Sequence, residues 1–454
     1  MNLHTAPVSR AFWHYTLPSI AALMVSGTYQ IVDGIFVGHF IGGEGLAAIS
    51  LAWPLVGVLL AAGMMIGIGT GAHMSMMLGA RDPEGARRYL AQSFLLLLLF
   101  SLVLGSLLFT FSGAFLRAQG AEGEALAFGQ VYLNWLLKGT PIVLASIVFP
   151  LLVRNAGAPR LATLAMGIGA ISNILLDALF IGWLGYGLEG AALATLLGEL
   201  ISVALCLGYL FSRRSQLPIS WRQLRWESKR AGRLLQTGFS SMLMYLYLSF
   251  SIVLHNALLL HYGSSVHVAA YSIAGYLMTF YYLMAEGVAG GLQPISSFYH
   301  GAGRSAQIKA AYRLAIAFVL STGLAFLLAI QISPHFFAQF FIHSGDTALM
   351  QITEQALRLF LLGLFLDGFL VVTATWFQSL GLARPATLIT LGNMAIQVPF
   401  LFLLPQWLGI NGVWLALPLS NLVLVLLVLL LVRHQWRRLS QPQRLAPAQD
   451  TPPH

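Results

Sequence analysis

Twelve apolar stretches, each of about 20 residues or more and so able to cross a lipid bilayer, constrain this chain more than any other feature. They cover approximately residues 12–40, 46–77, 88–112, 125–152, 161–182, 187–211, 234–261, 267–299, 309–332, 352–380, 386–404 and 411–432. Of the 454 residues, 58% are hydrophobic and only 9% are charged, which is not the balance of a soluble globular domain. The sequence therefore predicts an all-α polytopic membrane protein with twelve transmembrane helices.

The basic residues follow the positive-inside rule. With both termini placed in the cytoplasm, all of the 24 basic residues except Arg117, Lys138 and Arg358 fall in or beside the cytoplasmic loops. This distribution explains the net charge of +9 without a nucleic-acid partner. We expect a multi-pass protein of a bacterial cytoplasmic membrane, surrounded by lipid, with an even number of spans and both termini on the cytoplasmic side.

The two halves of the chain resemble each other. Residues 39–42 (HFIG) match 261–264 (HYGS), and residues 182–185 (GWLG) match 406–409 (QWLG), at offsets of about 222 and about 224 residues. A nearly constant offset indicates two six-span repeats. Because six is even, both repeats share one orientation, and the pseudo-twofold axis between two six-helix lobes should run along the membrane normal.

This symmetry divides the chain into four predicted segments: an N-terminal lobe over 1–211, a basic cytoplasmic linker over 212–233, a C-terminal lobe over 234–438 and a disordered tail over 439–454. In the linker, Trp221 and Trp226 among basic residues suggest an amphipathic helix at the membrane surface. The single cysteine, Cys206, excludes a disulfide framework within the chain and a cysteine-based metal site.

Polar residues interrupt two adjacent spans of the first repeat. Asn173 and Asp177 are spaced i, i+4 and therefore share one helix face, and Thr195 and Glu199 lie in the next span. An ionisable group at membrane depth costs roughly 2.5–3.5 kcal/mol, so it indicates function by default. The alternative is that Asp177 only hydrogen-bonds a neighbouring helix through Asn173 and Thr195. We interpret Glu199, in the inner half of its span, as a capping or snorkelling residue.

Short motifs in a fixed order resemble those of the multidrug and toxic compound extrusion (MATE) family over all twelve spans. They are residues 32–38 (VDGIFVG), 78–81 (LGAR), 154–157 (RNAG), the Asn173 and Asp177 pair, 293–294 (QP) and 378–381 (QSLG). The resemblance implies a secondary antiporter that exports amphipathic, often cationic drugs or toxic organic cations against an inward flow of H⁺ or Na⁺. We expect no cofactor besides that ion, and a chain that functions as a monomer.

One prokaryotic branch of this family has its cation site in the N-terminal lobe, and the resemblance carries that site over to Asp33, Asn173, Asp177 and Thr195. Any bound metal ion would be Na⁺ at these four residues. If Asp33 and Asp177 lie close together, they repel each other when both are ionised, so one of them would hold a proton unless they share a cation. The choice between H⁺ and Na⁺ stays open.

The internal repeat provides a control on these four positions. If the fold required them only for packing, the second repeat would keep them, but it does not. The aligned residues are His255 for Asp33, Gln397 for Asn173, Leu401 for Asp177 and Leu419 for Thr195. The loss favours a role that belongs to one lobe.

Four further residues are candidates for the wall of a substrate cavity. Glu286 and Asp367 are single carboxylates in apolar surroundings, and both resemble acidic positions of some family members. Either could instead be paired with a neighbour such as Lys138, the basic residue deep within a span. We interpret Lys138 as a structural counter-charge and not as a substrate ligand, because a fixed positive charge would disfavour cationic substrates. We interpret His255 as a buried histidine that donates to a carbonyl group and not as a pH sensor.

The sequence also allows two alternative functions, a flippase and an intramembrane enzyme. A flippase for a lipid-linked or polyprenyl substrate would share the two-lobe plan, but we would expect a strongly cationic cavity, which Lys138 alone does not supply. An intramembrane enzyme would need a catalytic motif, and neither HExxH nor GxSxG occurs in the sequence. We therefore predict a transporter and not an enzyme.

Overall fold

The computed structural model describes residues 1–119, 121–218, 224–342 and 347–441, which form fifteen α-helices and no β-strand. In the first half these are α1 (Val8–Phe40), α2 (Gly43–Gly79), α3 (Pro83–Ala118), α4 (Gly123–Lys138), α5 (Thr140–Asn155), α6 (Pro159–Asp177) and α7 (Gly187–Leu210). In the second half they are α8 (Ser228–Tyr262), α9 (Ser265–Gly301), α10 (Ser305–Ile332), α11 (Pro334–Ala338), α12 (Thr347–Phe360), α13 (Leu364–Ser379), α14 (Ala383–Leu408) and α15 (Ile410–Arg438).

The predicted twelve-span, all-α fold is confirmed. Eleven stretches are long and apolar enough to cross a membrane, and the bent pair of α4 and α5 supplies the twelfth. Two of the eleven contain a change of helix type: α6 continues into a π-helical turn at Ala178–Trp183, and a 3₁₀ turn at Leu361–Gly363 joins α12 to α13.

The single helix expected over 125–152 is instead bent by 60° at Gly139. The cause is local, because Pro141 lacks the N–H that would bond the carbonyl of Leu137 four residues earlier. The Thr140 hydroxyl donates to that carbonyl instead, at 2.6 Å. The bend also brings α7 close, since a methyl group added at Gly139 would lie 2.4 Å from the Leu196 side chain.

The second repeat breaks its helix at the equivalent glycine. Gly363, about 224 residues after Gly139, ends the 3₁₀ turn between α12 and α13. A methyl group at Gly363 would lie 2.7 Å from the Cα of Pro418 on α15, as one at Gly139 would meet α7. Both lobes therefore use a glycine to admit their sixth span against a broken fourth span.

The structure has one hydrophobic core in each repeat. Each core also includes residues from the beginning of the other repeat's first helix. The N-terminal core extends from Val37 to Leu234 and so includes the first turns of α8. The C-terminal core, from Leu258 to Val428, also contains Phe12 of α1. The division of the chain at 211 and 234 stays a prediction, because the cores interlock across it.

The lobes meet at the end of the molecule that carries the basic loops, which we call the basic end. There α2 crosses its repeat mate α9 on the pseudo-twofold axis. Gly79 packs on the carbonyl oxygen of Phe298, and the equivalent Gly301 packs on that of Met76, so a side chain at either glycine would collide with backbone. Glycine is required here because two helices approach this closely.

Polar contacts reinforce this closure. His73 on α2 lies 3.0 Å from the Thr237 hydroxyl on α8, and the Asn155 amide on α5 donates to Gln293 on α9 at 3.1 Å. Towards the opposite end, Ile31 on α1 is 64% exposed, and a methyl group at Gly34 would meet no atom within 4 Å. The lobes are closed at the basic end, and this part of α1 is not packed against the other lobe.

The described residues of the linker, 212–218 and 224–227, do not form the amphipathic helix that the sequence suggests, and α8 already begins at Ser228. Trp221 lies outside the described residues, as do 442–454 of the predicted tail. The segment is fastened to α3 instead, because the buried side chain of Gln92 donates to the Arg225 carbonyl at 2.6 Å and accepts from the Glu227 amide at 3.0 Å.

Candidate functional site

Three helices of the first repeat, α1, α6 and α7, pack together around the residues predicted to bind the coupling ion. Small residues make the approach of α6 and α7 close. A methyl group at Gly169 would lie 2.8 Å from the Gly198 carbonyl oxygen, and one at Gly198 would lie 2.8 Å from the Cβ of Asn173. Asn173 is therefore pressed against the backbone of α7.

The structure brings Asp33 of α1 beside Asp177 of α6. Their carboxyl groups are close enough to interact directly, without forming a regular hydrogen bond. Asp177 is fully buried and Asn173 is 2% exposed. Five polar atoms of this group have no hydrogen-bond partner among the described residues: both carboxylate oxygens of Asp177, both amide atoms of Asn173 and the Oδ1 of Asp33.

Thr195, the fourth predicted residue, is partly exposed on α7. Its hydroxyl donates to the carbonyl of Ala191 in its own helix at 3.0 Å, and no hydrogen bond to the carboxyl groups is formed. A hydroxyl that donates keeps lone pairs that can accept or coordinate. Asp33, Asn173 and Asp177 thus lie together, and Thr195, on the helix packed against Asn173, forms no hydrogen bond with them.

Buried polar atoms without partners are costly, and an ionised carboxylate in such a place is more costly still. Two arrangements remove that cost: a proton on a carboxyl group, or a cation shared by both. The available atoms are carboxylate and amide oxygens, which are the ligands that hard cations such as Na⁺ prefer. The geometry suits a group that alternates between holding and releasing a small cation.

A π-helical turn follows Asp177 directly. It covers Ala178–Trp183, whereas the equivalent stretch of the second repeat lies within the regular helix α14. Such turns are rare and occur frequently at functional sites. The backbone therefore departs from regular geometry where the acidic cluster lies, and it does so in the first repeat.

Sequence reasoning missed two tyrosines near this group and misread one acid. Tyr132 of α4 lies near Asp33 and Asp177, and Tyr29 of α1 lies near Asp33. Glu199 lies near both tyrosines, and its Oε2 is buried without a hydrogen-bond partner among the described residues, so it neither caps its helix nor reaches out to the membrane surface. Tyr29 lies one turn before Asp33, an i, i+4 spacing that could have revealed it.

In the C-terminal lobe, the buried carboxylate has a hydrogen-bond partner. Asp367 of α13 is 8% exposed and accepts a hydrogen bond of 2.7 Å from the side-chain amide of Asn421 on α15. It lies among Tyr247, Tyr281 and Tyr282. Asp367 is therefore partnered within its own lobe.

Glu286 of α9 faces the other lobe. The Tyr245 hydroxyl donates to its Oε1, and its charged neighbour is the buried Arg154 of α5. The Arg154 guanidinium covers Gly290, where a methyl group would lie 2.6 Å from Nη1. Lys138, considered as a partner from sequence, is instead exposed, with its ammonium group over the rings of Phe109 and Trp135.

His255, the repeat mate of Asp33, lies in the core of the C-terminal lobe. It is fully buried, its Nδ1 lies 2.8 Å from the Ser251 carbonyl oxygen, and its ring stacks on Tyr271 at 5.2 Å. This is the geometry of a core histidine and not of a cavity wall.

A cavity of about 340 Å³ lies between the lobes at the basic end, away from all these carboxylates. Ser75, Asn155, Pro294 and Phe298 line it, and residues 1–4 cover it. The Arg304 guanidinium holds that cover by donating to the His4 carbonyl at 2.7 Å. The lining combines polar residues such as Ser75 and Asn155 with apolar ones such as Leu78 and Phe298, and none of the residues that line it has a carboxylate side chain.

Comparison with known proteins shows the family of this fold. The profile of the MatE family matches residues 18–179 and 240–403, one match in each repeat. The multidrug export protein MepA of Staphylococcus aureus is 25% identical over 431 residues, which is 94% of each chain. MepA of Staphylococcus haemolyticus is 24% identical over 433 residues, or 95% of each chain.

A solved structure has the same fold. It is described as the outward-facing conformation of a MATE family multidrug resistance transporter of the MOP superfamily. The alignment has a TM-score of 0.91 with 26% identity, and covers 97% of this chain and 98% of that one. The resemblance extends over both lobes and their relative arrangement.

Proposed function

The chain belongs to the MatE family, and from that premise we propose that it is a secondary active exporter of amphipathic, often cationic drugs. Export is driven by an inward flow of H⁺ or Na⁺ in antiport. The observation that carries the coupling is the unpartnered acidic group of Asp33, Asn173 and Asp177 at membrane depth, in one repeat only. The relatives named as multidrug export proteins support the substrate class.

We place the basic end in the cytoplasm of a bacterial inner membrane, on the positive-inside rule. The lobes then close towards the cytoplasm, and the molecule stands in an outward-facing state. In that state the coupling ion reaches Asp33 and Asp177 from outside and the drug leaves. Binding of the ion removes the cost of the unpartnered oxygens of Asp33 and Asp177, and it drives the change of state by binding more tightly in the state that follows.

The drug would lie between the lobes, where Glu286 supplies negative charge opposite Arg154. Because Glu286 is offset by that arginine, an amphipathic cation would gain modest attraction there and remain releasable. Thr195 joins the ion site as a neutral oxygen ligand in this proposal. We expect a monomer to carry out the whole cycle, since each of these residues comes from one chain.

The experiment is efflux of a fluorescent cationic dye in everted membrane vesicles, with a pH gradient and a sodium gradient imposed separately. We expect one of the two gradients to drive dye against its own concentration gradient. Movement only down the dye gradient, whatever ion gradient is imposed, would show a passive pathway and contradict antiport. Vesicles that lack the protein provide the background.

A further inference from the structure

Glu199 is a partly buried acid that the coupling group described above does not use. It lies four residues after Thr195 on α7, so both share one helix face. Its Oε2 is buried and has no partner among the described residues. Tyr29 and Tyr132, the two tyrosines near Asp33, also lie near Glu199.

The helix directions set the depth of this acid. Helix α1 runs away from the basic end, so Tyr29 lies one turn, about 6 Å, nearer that end than Asp33. Helix α7 runs towards the basic end, so Glu199 lies one turn beyond Thr195 in the same direction. Glu199 also lies beside Ser146, in the half of the fourth span that leads to the basic end. Glu199 is therefore staggered towards the basic end relative to the two aspartates.

Asn173 connects the two levels and supplies an independent observation. It lies one turn nearer the basic end than Asp177, is 2% exposed, and leaves both of its side-chain polar atoms without partners. Its Cβ is pressed against Gly198, the residue next to Glu199. A buried amide without partners at this junction is poised to bind a transient ligand that passes between the acids.

We propose that Glu199 is a second cation station, which receives the coupling ion from Asp33 and Asp177 and passes it on towards the basic end. The inference rests on the proposed antiport. For a proton, the O–H bond at Asp177 breaks, one forms at Glu199, and Glu199 then releases the proton to water on the cytoplasmic side. For sodium, the Glu199 carboxylate replaces those of the aspartates as the oxygen ligand. The shared chemistry is a carboxylate that accepts a monovalent cation.

The test compares Glu199→Gln, Glu199→Asp and Glu189→Gln in dye efflux. Glu189 is the matched control because it lies in the first turn of the same helix, is exposed, and accepts from the Trp135 indole at 3.0 Å. We expect Glu199→Gln to slow gradient-driven efflux about 10–100-fold, as neutralising a group behind a cation site commonly does. Glu199→Asp should restore most of the rate, and Glu189→Gln should match the wild type.

Efflux driven by a pH gradient and efflux driven by a sodium gradient are measured separately to identify the ion. Dye affinity and unfolding temperature then show whether Glu199 binds the ion or only supports the structure. Loss confined to the pH-gradient arm identifies a proton station, and loss confined to the sodium-gradient arm identifies a sodium station. Dye affinity in detergent and the unfolding temperature should not change in Glu199→Gln. Wild-type efflux by Glu199→Gln in both arms would overturn the proposal, and so would a loss accompanied by weaker dye binding or a lower unfolding temperature.

The outcomes also separate this inference from the antiport on which it rests. If Asp177→Asn stops gradient-driven efflux while Glu199→Gln does not slow it, the antiport stands and the second station fails. If Asp177→Asn itself transports normally, the coupling site proposed in the N-terminal lobe fails first.

Discussion

In the N-terminal lobe, Asp33 and Asp177 have buried oxygens without a hydrogen-bond partner, whereas in the C-terminal lobe Asp367 accepts a hydrogen bond from Asn421. Within the described residues, every carboxylate oxygen that is buried without a partner belongs to the first repeat. The scaffold around the two sites is nevertheless alike, with broken fourth spans and paired glycines at the same positions. We conclude that the two repeats share their packing, and that the residues suited to cation binding belong to the first repeat.

The strongest test of this difference between the lobes is to neutralise one acid in each lobe. Asp177→Asn should reduce gradient-driven dye efflux by about 10²-fold or more, because the asparagine amide can neither release a proton nor supply the negative charge that binds a cation. Asp367→Asn should keep a substantial part of the rate, since it loses only one hydrogen-bonded charge. Equal losses in vesicles with matched protein amounts would mean that both lobes couple.

The next prediction concerns Asp33 and Asp177 as a single unit. If they share one cation, the double variant with both changed to Asn should be little worse than either single variant, because residues that act as a unit are strongly non-additive. The measurement is a double-mutant cycle on efflux rate across external pH at fixed sodium concentration. Independent, multiplicative losses would assign the two carboxylates to different sites.

Much of the fold could be predicted from the sequence because membranes impose a simple rule, in which each span is a long apolar helix. The bend at Gly139 was not predicted, although its cause lies in Pro141 and Thr140. A proline in an apolar stretch is compatible with either a kink or a continuous helix, as Pro54 within α2 illustrates. Which one occurs depends on whether a neighbouring helix, here α7, fills the bend.

Asn173 and Asp177 were predicted from the sequence because polar and charged residues are conspicuous in an apolar span and the second repeat lacks them, whereas Asp33 was added through the family resemblance. The tyrosines beside these residues were not found, since Tyr29 and Tyr132 resemble ordinary membrane aromatics. The partner of Glu286 could not be predicted either. Arg154 lies in the other lobe, and its proximity arises only when the lobes close at the basic end.

A third prediction concerns the helix packing that the two repeats share. Gly79→Val and Gly301→Val should each destabilise the closure at the basic end, because added methyl groups collide with the backbone of the opposite helix, a strain of about 1–3 kcal/mol. Since the positions are repeat mates, we expect similar losses of efflux from both. In a variant with a cysteine placed at Ser75, alkylation from the basic end should increase, and buried Cys206 should add little background.

The smallest expected effect is at His255, the position in the second repeat that corresponds to Asp33. His255→Phe keeps a ring that can stack on Tyr271, and it removes a hydrogen bond to the Ser251 carbonyl that contributes about 0.5–1.5 kcal/mol. That carbonyl retains the bonds of its own helix, so the unfolding temperature should fall only slightly, and efflux and its dependence on pH should stay within about twofold of the wild type. Asp33→Asn measured beside it should be strongly impaired. If His255→Phe instead shifted the pH profile, the second repeat would contribute a titrating group, and the division of chemistry between the lobes would have to be redrawn.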